Sequence, residues 1–219
     1  MSVKLNHYWT VNHSKKDAYD KFIIKKFIPK INQLGMHTVA GWSVLVGAYS
    51  EIIFESAAND LDLLEKSLRD ERYKVLKSDL LNYVKNYKTK VLVATGKKDT
   101  YSVDVREDTV KFNQMWNIVS GQKEAFDKYT EEEFYPVLEE LGISVAREWE
   151  VLIGEGPGIL CEGRVADINS LIRNLQSKKF NNAKLKLRQY VEGYESRILT
   201  FHIQKIKGYK SASYNIISD

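Results

Sequence analysis

The chain has 219 residues, 43% hydrophobic and 28% charged, with one cysteine and no apolar run long enough to span a bilayer. That composition excludes a disulfide-stapled scaffold, a disordered tail or a helical membrane protein, and it fits a globular protein of the reducing cytoplasm. The formal charge of +4 comes from 33 basic and 29 acidic residues that are interleaved, so neither a nucleic acid nor a membrane surface is expected as a partner.

Residues 1–14 are polar and lack the pattern of a signal peptide. Within them, residues 4–12 alternate Leu5, His7, Trp9 and Val11 against Asn6, Tyr8, Thr10 and Asn12, the period of a strand. Ser14 stands at the N-cap of a helix whose apolar stripe is Ala18, Phe22, Ile23, Phe27, Ile31 and Leu34. Pro29 lies inside that stripe and predicts a kink or a fresh start at Lys30, and Gly35 supplies the left-handed residue that closes a helix. Residues 38–47 and 50–57 read as two strands joined around Ala48-Tyr49. Asn59 or Asp60 caps a second helical region, divided near residues 70–73 and running to about residue 86, and residues 87–95 form a fourth strand. The order β-α-β-β-α-β is the split, ferredoxin-like plan of an α+β protein.

The plan then recurs. Gly41-Trp42-Ser43-Val44-Leu45-Val46-Gly47 returns as Glu148-Trp149-Glu150-Val151-Leu152-Ile153-Gly154, and the same offset pairs Trp9 with Trp116, Pro29 with Pro136, Gly35 with Gly142 and Glu55 with Glu162. About a quarter of positions 8–92 match their partners without a gap, which marks a tandem duplication of domain-sized repeats. The expected division is a first repeat over 1–96, a polar linker over 97–110 with a short strand suggested at 101–105, a second repeat over 111–203, and a tail over 204–219 lying along the surface. In the second repeat the elements fall at 111–120, 122–141, 145–154, 158–163, 167–191 and 194–203. The glycine-rich stretch 154–158 joins two strands rather than a strand and a helix, so it reads as a turn and not as a phosphate cradle.

In such a sheet the helices cover one face. Uniform apolarity assigns Trp42, Val44 and Val46, and likewise Trp149, Val151 and Ile153, to the helix side, together with Trp9, Val11, Trp116 and Ile118. The opposite face then receives Tyr8, Thr10, Ser43, Leu45, Met115, Asn117, Glu148, Glu150 and Leu152. That mixed face is too apolar for water, and the matching face of the other copy is its simplest cover, which closes the two sheets into a barrel.

Tyr8-Trp9-Thr10-Val11, the helix with Phe27 and Pro29, Gly41-Trp42-Ser43-Val44-Leu45 and Ile52-Ile53-Phe54-Glu55 make the chain resemble the dimeric α/β-barrel superfamily, and within it NIPSNAP-type and monooxygenase-like domains. The resemblance covers nearly the whole chain. It implies two tandem ferredoxin-like βαββαβ repeats forming an intrachain barrel. It leaves activity open, because the superfamily includes cofactor-free oxygenases, haem enzymes and isomerases. Some relatives carry a histidine haem ligand on the second helical region. Leu64-Glu65-Lys66-Ser67-Leu68 and Leu171-Ile172-Arg173-Asn174-Leu175 contain none, so no cofactor is expected.

Glu55 and Glu162 should point into the barrel, either as a general base or as a salt bridge to the equivalent Lys90 and Arg197. His7, His13, His37 and His202 have no metal-ligand spacing, so no metal is expected. Cys161 replaces Phe54 and reads as a buried, inert thiol. The asymmetry between copies locates the rest: Glu148 stands for Gly41, Glu150 for Ser43, Met115 for Tyr8 and Asn117 for Thr10. Ligand contacts are therefore expected at Glu150, Glu162, Asn117 and Arg197, with Glu55 and Tyr8 in the first copy. The crowded carboxylates should be neutralised by Arg197, by Arg147 or by a raised pKa, unless Glu148 and Glu150 sit solvated at a sheet edge. Two functions remain. One is a protein binding a small, partly apolar molecule in the barrel, as the fused pair or a further homo-oligomer of it. The other is a cofactor-independent oxygenase or isomerase with Glu162 or Glu150 as base and Tyr8, Asn117 or Arg197 beside the developing oxyanion.

Overall fold

The computed structural model describes residues 3–48, 50–98, 109–206 and 213–216. Tyr49, the short strand expected at 101–105 and part of the tail expected over 204–219 lie outside the described residues. The chain forms two units, Met1–Val93 with Phe201–Asp219, and Ala94–Thr200.

The first unit runs β1 (Val3–Val11), α1 (Lys16–Phe22), α2 (Ile28–Gln33), β2 (His37–Val46), β3 (Glu51–Ala58), α3 (Leu61–Arg69), α4 (Glu71–Leu81) and β4 (Val84–Ala94). The second runs β5 (Val110–Ile118), α5 (Lys123–Tyr129), α6 (Tyr135–Glu140), β6 (Ser144–Ile153), β7 (Ile159–Val165), α7 (Ile168–Leu175), α8 (Lys178–Leu187) and β8 (Val191–Ile206). The antiparallel sheets have the orders β2-β3-β1-β4 and β6-β7-β5-β8. This is the expected plan, twice. Residues of β8 from Phe201 onward count with the first unit, where β8 meets β2 and pairs with β9 (Ser213–Ile216). The expected surface tail thus includes a strand.

Local chemistry sets the element ends. Asp60, Asp70, Asp167 and Ser177 each accept backbone N–H groups at the starts of α3, α4, α7 and α8. Ser14 does not cap α1 as expected: its hydroxyl donates to Asn12 at 3.2 Å, and residues His13–Lys15 form a 3-10 turn ahead of the helix. Gly35 and Gly142 close their helices at φ values of 88° and 70°. Pro29 sits in the first turn of α2, so the fresh start comes at Ile28 rather than at Lys30. Between α1 and α2 the chain widens into a π-helical segment, Ile23–Phe27, where the Ile28 N–H reaches the Ile23 carbonyl. Thr130–Phe134 does the same before Pro136.

Each unit buries an aromatic core between its helices and sheet. Trp9, Phe27, Phe54 and Leu76 lie in one, and Trp116, Phe134, Cys161 and Leu187 in the other. Each buried leucine or phenylalanine among them contributes roughly 1.5–3 kcal/mol relative to exposure.

One expectation about the faces is overturned. In β2 the register against β3 passes from Thr38↔Ser56 to Ala40↔Glu55, so Val39 is an extra residue, and Ala146 is its counterpart in β6. A bulge reverses the alternation beyond it. Trp42 and Trp149 therefore lie opposite Ile53 and Leu160, on the face away from the helices, while Gly41 and Glu148 lie opposite Phe54 and Cys161, on the helix side. Val46 and Ile153, also expected beneath helices, are exposed at the strand ends.

Gly41 shows what its position requires: a Cβ there would stand 2.9 Å from the Cβ of Ile203 and 2.8 Å from its Cδ1. Gly41→Ala should therefore cost about 1–3 kcal/mol, read as a lower urea midpoint. Ile203→Ala in the same chain should make the combined loss smaller than the sum of the two single losses.

Candidate functional site

On the face opposite the helices, each sheet carries the same buried polar group. In the first unit Lys4 on β1 reaches diagonally to Glu55 on β3, Nζ to Oε1 3.3 Å, and the Trp42 indole N–H donates to Oε2 at 2.9 Å. In the second, Lys111 meets Glu162 Oε1 at 2.6 Å and Trp149 donates to Oε2 at 2.8 Å. All four charged side chains are at most 4% exposed. Opposite charges at diagonal positions of an antiparallel pair offset the cost of burying each other, and the indole satisfies the oxygen that the lysine leaves.

Next to each carboxylate, across the strand pair, is an asparagine: Asn6 opposes Glu55, and Asn113 opposes both Glu162 and Arg197. Asn6 is 0% and Asn113 3% exposed, and the Oδ1 atom of each has no hydrogen-bond partner among the described residues. Asn6 donates from Nδ2 to the Tyr8 hydroxyl at 3.4 Å, and Lys88 lies over the Tyr8 ring at 5.4 Å. Phe201 stacks on Trp42 at 4.1 Å, and the Arg147 guanidinium lies 5.1 Å from the Trp149 ring.

The six expected site residues divide accordingly. Glu162 and the half-buried Arg197 share a face around Asn113, and Glu55 and Tyr8 share one around Asn6. Glu150 does not join them: beyond the bulge it opposes Ile159, on the helix-side alternation, and it is exposed. Asn117 is also apart, its Oδ1 accepting the Gly158 N–H at 2.8 Å to tie down the β6–β7 turn. Lys4, Lys111, Asn6 and Asn113 were absent from the expected set. Their signal was available, since each pair is identical across the two copies at an alternating strand position.

The helix side holds a second kind of buried polar group. Glu148, placed there by the bulge, accepts from Tyr135 and pairs with Lys97 at 3.0 Å, and Lys97 also meets Asp127 at 2.5 Å. Burial and the nearby Glu148 push the Cys161 thiol well above its ordinary pKa, so it is held protonated and inert. In the first unit His7 is enclosed by Trp9, Phe27, Phe54, Tyr73 and Tyr87, and its Nδ1 is hydrogen-bonded to the Tyr87 hydroxyl at 2.9 Å. Burial, aided by Lys77, lowers its pKa from 6.5 to about 3. Gln114 takes the same place in the second unit, accepting from Tyr194 at 2.8 Å. Among the described residues no group of three or more His, Cys, Asp or Glu could hold a metal ion, and no helix is long and apolar enough to cross a membrane.

Two measurements follow from these burials. Lys111→Met strands the Glu162 charge and should cost about 3–5 kcal/mol in a urea melt, whereas adding Glu162→Gln should recover most of that loss. His7 acts through pH. Below about pH 6.5 the unfolded chain takes up a proton that the folded imidazole refuses, so stability falls as pH drops toward about 3. Between about pH 7 and about pH 4.5, His7 should account for about 2–3 kcal/mol of lost stability, and His7→Gln should remove that share of the slope.

No family model matches the chain, and no curated protein matches it in sequence. Solved structures do. A provisionally assigned monooxygenase from Fusobacterium nucleatum is similar with a TM-score of 0.66 at 11% identity, over 91% of this chain and 92% of that one. An anthrone oxidase-like protein is similar with a TM-score of 0.65 at 11% identity, over 91% and 90%. A NIPSNAP family protein from Agrobacterium tumefaciens matches 44% of this chain and 95% of its own at 16% identity, with a TM-score of 0.37. The first two likenesses, together with the repeated βαββαβ plan, give this chain the dimeric α/β-barrel fold of the monooxygenase-like proteins.

Proposed function

We propose that each unit binds a small, partly apolar molecule on its sheet face opposite the helices, with Asn6 as the hydrogen-bond acceptor in the first and Asn113 in the second. The observation that carries this reading is the pair of buried Oδ1 atoms without partners, at equivalent positions, each beside a carboxylate whose own needs are met. A buried acceptor left unpaired costs about 1–3 kcal/mol, which a ligand N–H or O–H would recover. Apolar neighbours of each asparagine's face, Tyr8 and Ile53 in one unit and Met115 and Leu160 in the other, suit a flat ring system. The anthrone in the name of one structural neighbour belongs to that chemical class.

An enzymatic role for Glu55 or Glu162 as proton acceptor is less well supported, because lysine and indole already engage both oxygens of each. A cytoplasmic location agrees with the single buried cysteine.

Native mass spectrometry of protein purified from its own cells should show a retained small molecule. Asn113→Leu gives the sharper test, since Asn113 makes no side-chain hydrogen bond of its own among those described. It should leave the urea midpoint unchanged or higher while weakening binding at least about tenfold, or about 1.4 kcal/mol. Anthrone, titrated by quenching of tryptophan fluorescence, serves as the probe. A protein that carries no small molecule and takes up no probe below about 1 mM would end this reading.

A further inference from the structure

The first helical stretch of each repeat has the same length, the same proline and the same π-helical segment, yet opposite charge. Residues 14–34 contain six lysines and two aspartates, while residues 121–141 contain two lysines and seven carboxylates. The reversal is sharpest in the π-helical segments, where Lys25 and Lys26 correspond to Glu132 and Glu133, and Glu131 replaces Ile24.

Part of this charge is consumed within each unit. Lys26 pairs with Asp79 at 2.7 Å, Lys16 with Asp20 at 3.8 Å, and Lys15 donates to the Asn82 carbonyl. In the other unit Glu133 pairs with Lys186, Glu140 with Lys179, and Asp127 with Lys123 and Lys97. Lys21, Lys25 and Lys30 remain on one helix, and Glu124, Glu131 and Glu132 on the other, all exposed and without an ion pair among the described residues. Neither set is needed by the packing of its own unit. Each is what the other would attract.

We propose that these two helices are complementary docking surfaces for a second copy of this chain, the basic helix of one molecule against the acidic helix of the next. The occupant follows from charge complementarity carried on a single sequence. A chain with both signs on equivalent helices presents to its own copies a match that a uniformly charged surface would repel. Exposed pairs contribute little singly, about 0–1 kcal/mol each, so the association is weak, cooperative over several pairs and sensitive to salt.

Sedimentation velocity on the full chain tests this. Association should strengthen with protein concentration and weaken at least about tenfold between about 20 mM and about 300 mM NaCl, as the Debye length contracts. Reversing the basic set (Lys21→Glu, Lys25→Glu, Lys30→Glu) should abolish it, and so should reversing the acidic set (Glu124→Lys, Glu131→Lys, Glu132→Lys). Mixing the two folded variants should restore association, because one then presents two acidic helices and the other two basic ones. Circular dichroism identifies the folded variants. A wild-type chain that stays monomeric at low salt overturns the proposal. So does association indifferent to either reversal, or a mixture of folded variants that fails to associate.

Discussion

The constraint on which each sheet depends is the burial of a lysine and a glutamate away from water. Lys4 with Glu55, and Lys111 with Glu162, are nearly inaccessible, and each carboxylate has its second oxygen filled by an indole N–H. An isolated buried charge costs several kcal/mol, so the arrangement tolerates little sliding. A one-residue slip of β1 on β3 would send the lysine to the helix side and leave the glutamate unpaired. The same requirement acts on the neighbouring strand. For Trp42 and Trp149 to reach the carboxylates, β2 and β6 must change face, and the bulges at Val39 and Ala146 do so. Register, bulge and tryptophan orientation are thus one solution to one electrostatic problem.

The helix side shows how two copies of one plan diverged by compensation. Gly41 leaves room for Ile203 in the first unit. In the second, Glu148 fills the equivalent place and is neutralised by Lys97, with Tyr135 donating to it and Thr95 bonding the backbone of the same residue. An apolar contact in one copy is a buried ionic one in the other. The exchange of His7 for Gln114 is similar, each meeting the tyrosine hydroxyl of its own fourth strand. What the two copies share at this position is the hydrogen bond to that tyrosine, rather than the identity of the residue that makes it.

The sequence by itself determined the duplication, the order of elements in both repeats, the helix-side burial of Trp9 and Trp116, and the absence of haem-type histidines from the second helical regions. Each depends on local periodicity or on identity between copies, which are properties of the chain read linearly. It did not determine the face of Trp42, Trp149, Glu148 and Glu150. The extra residues themselves, Val39 and Ala146, are ordinary apolar strand residues, and apolar composition favoured the wrong alternation. It also missed Lys4 and Asn6 with their counterparts, because a lysine or asparagine on a strand reads as solvated until a partner on another strand is known. The partner is set by cross-strand register, and register is a relation between segments distant in sequence. The electrostatic pairing that chose this register therefore became visible only in the tertiary structure.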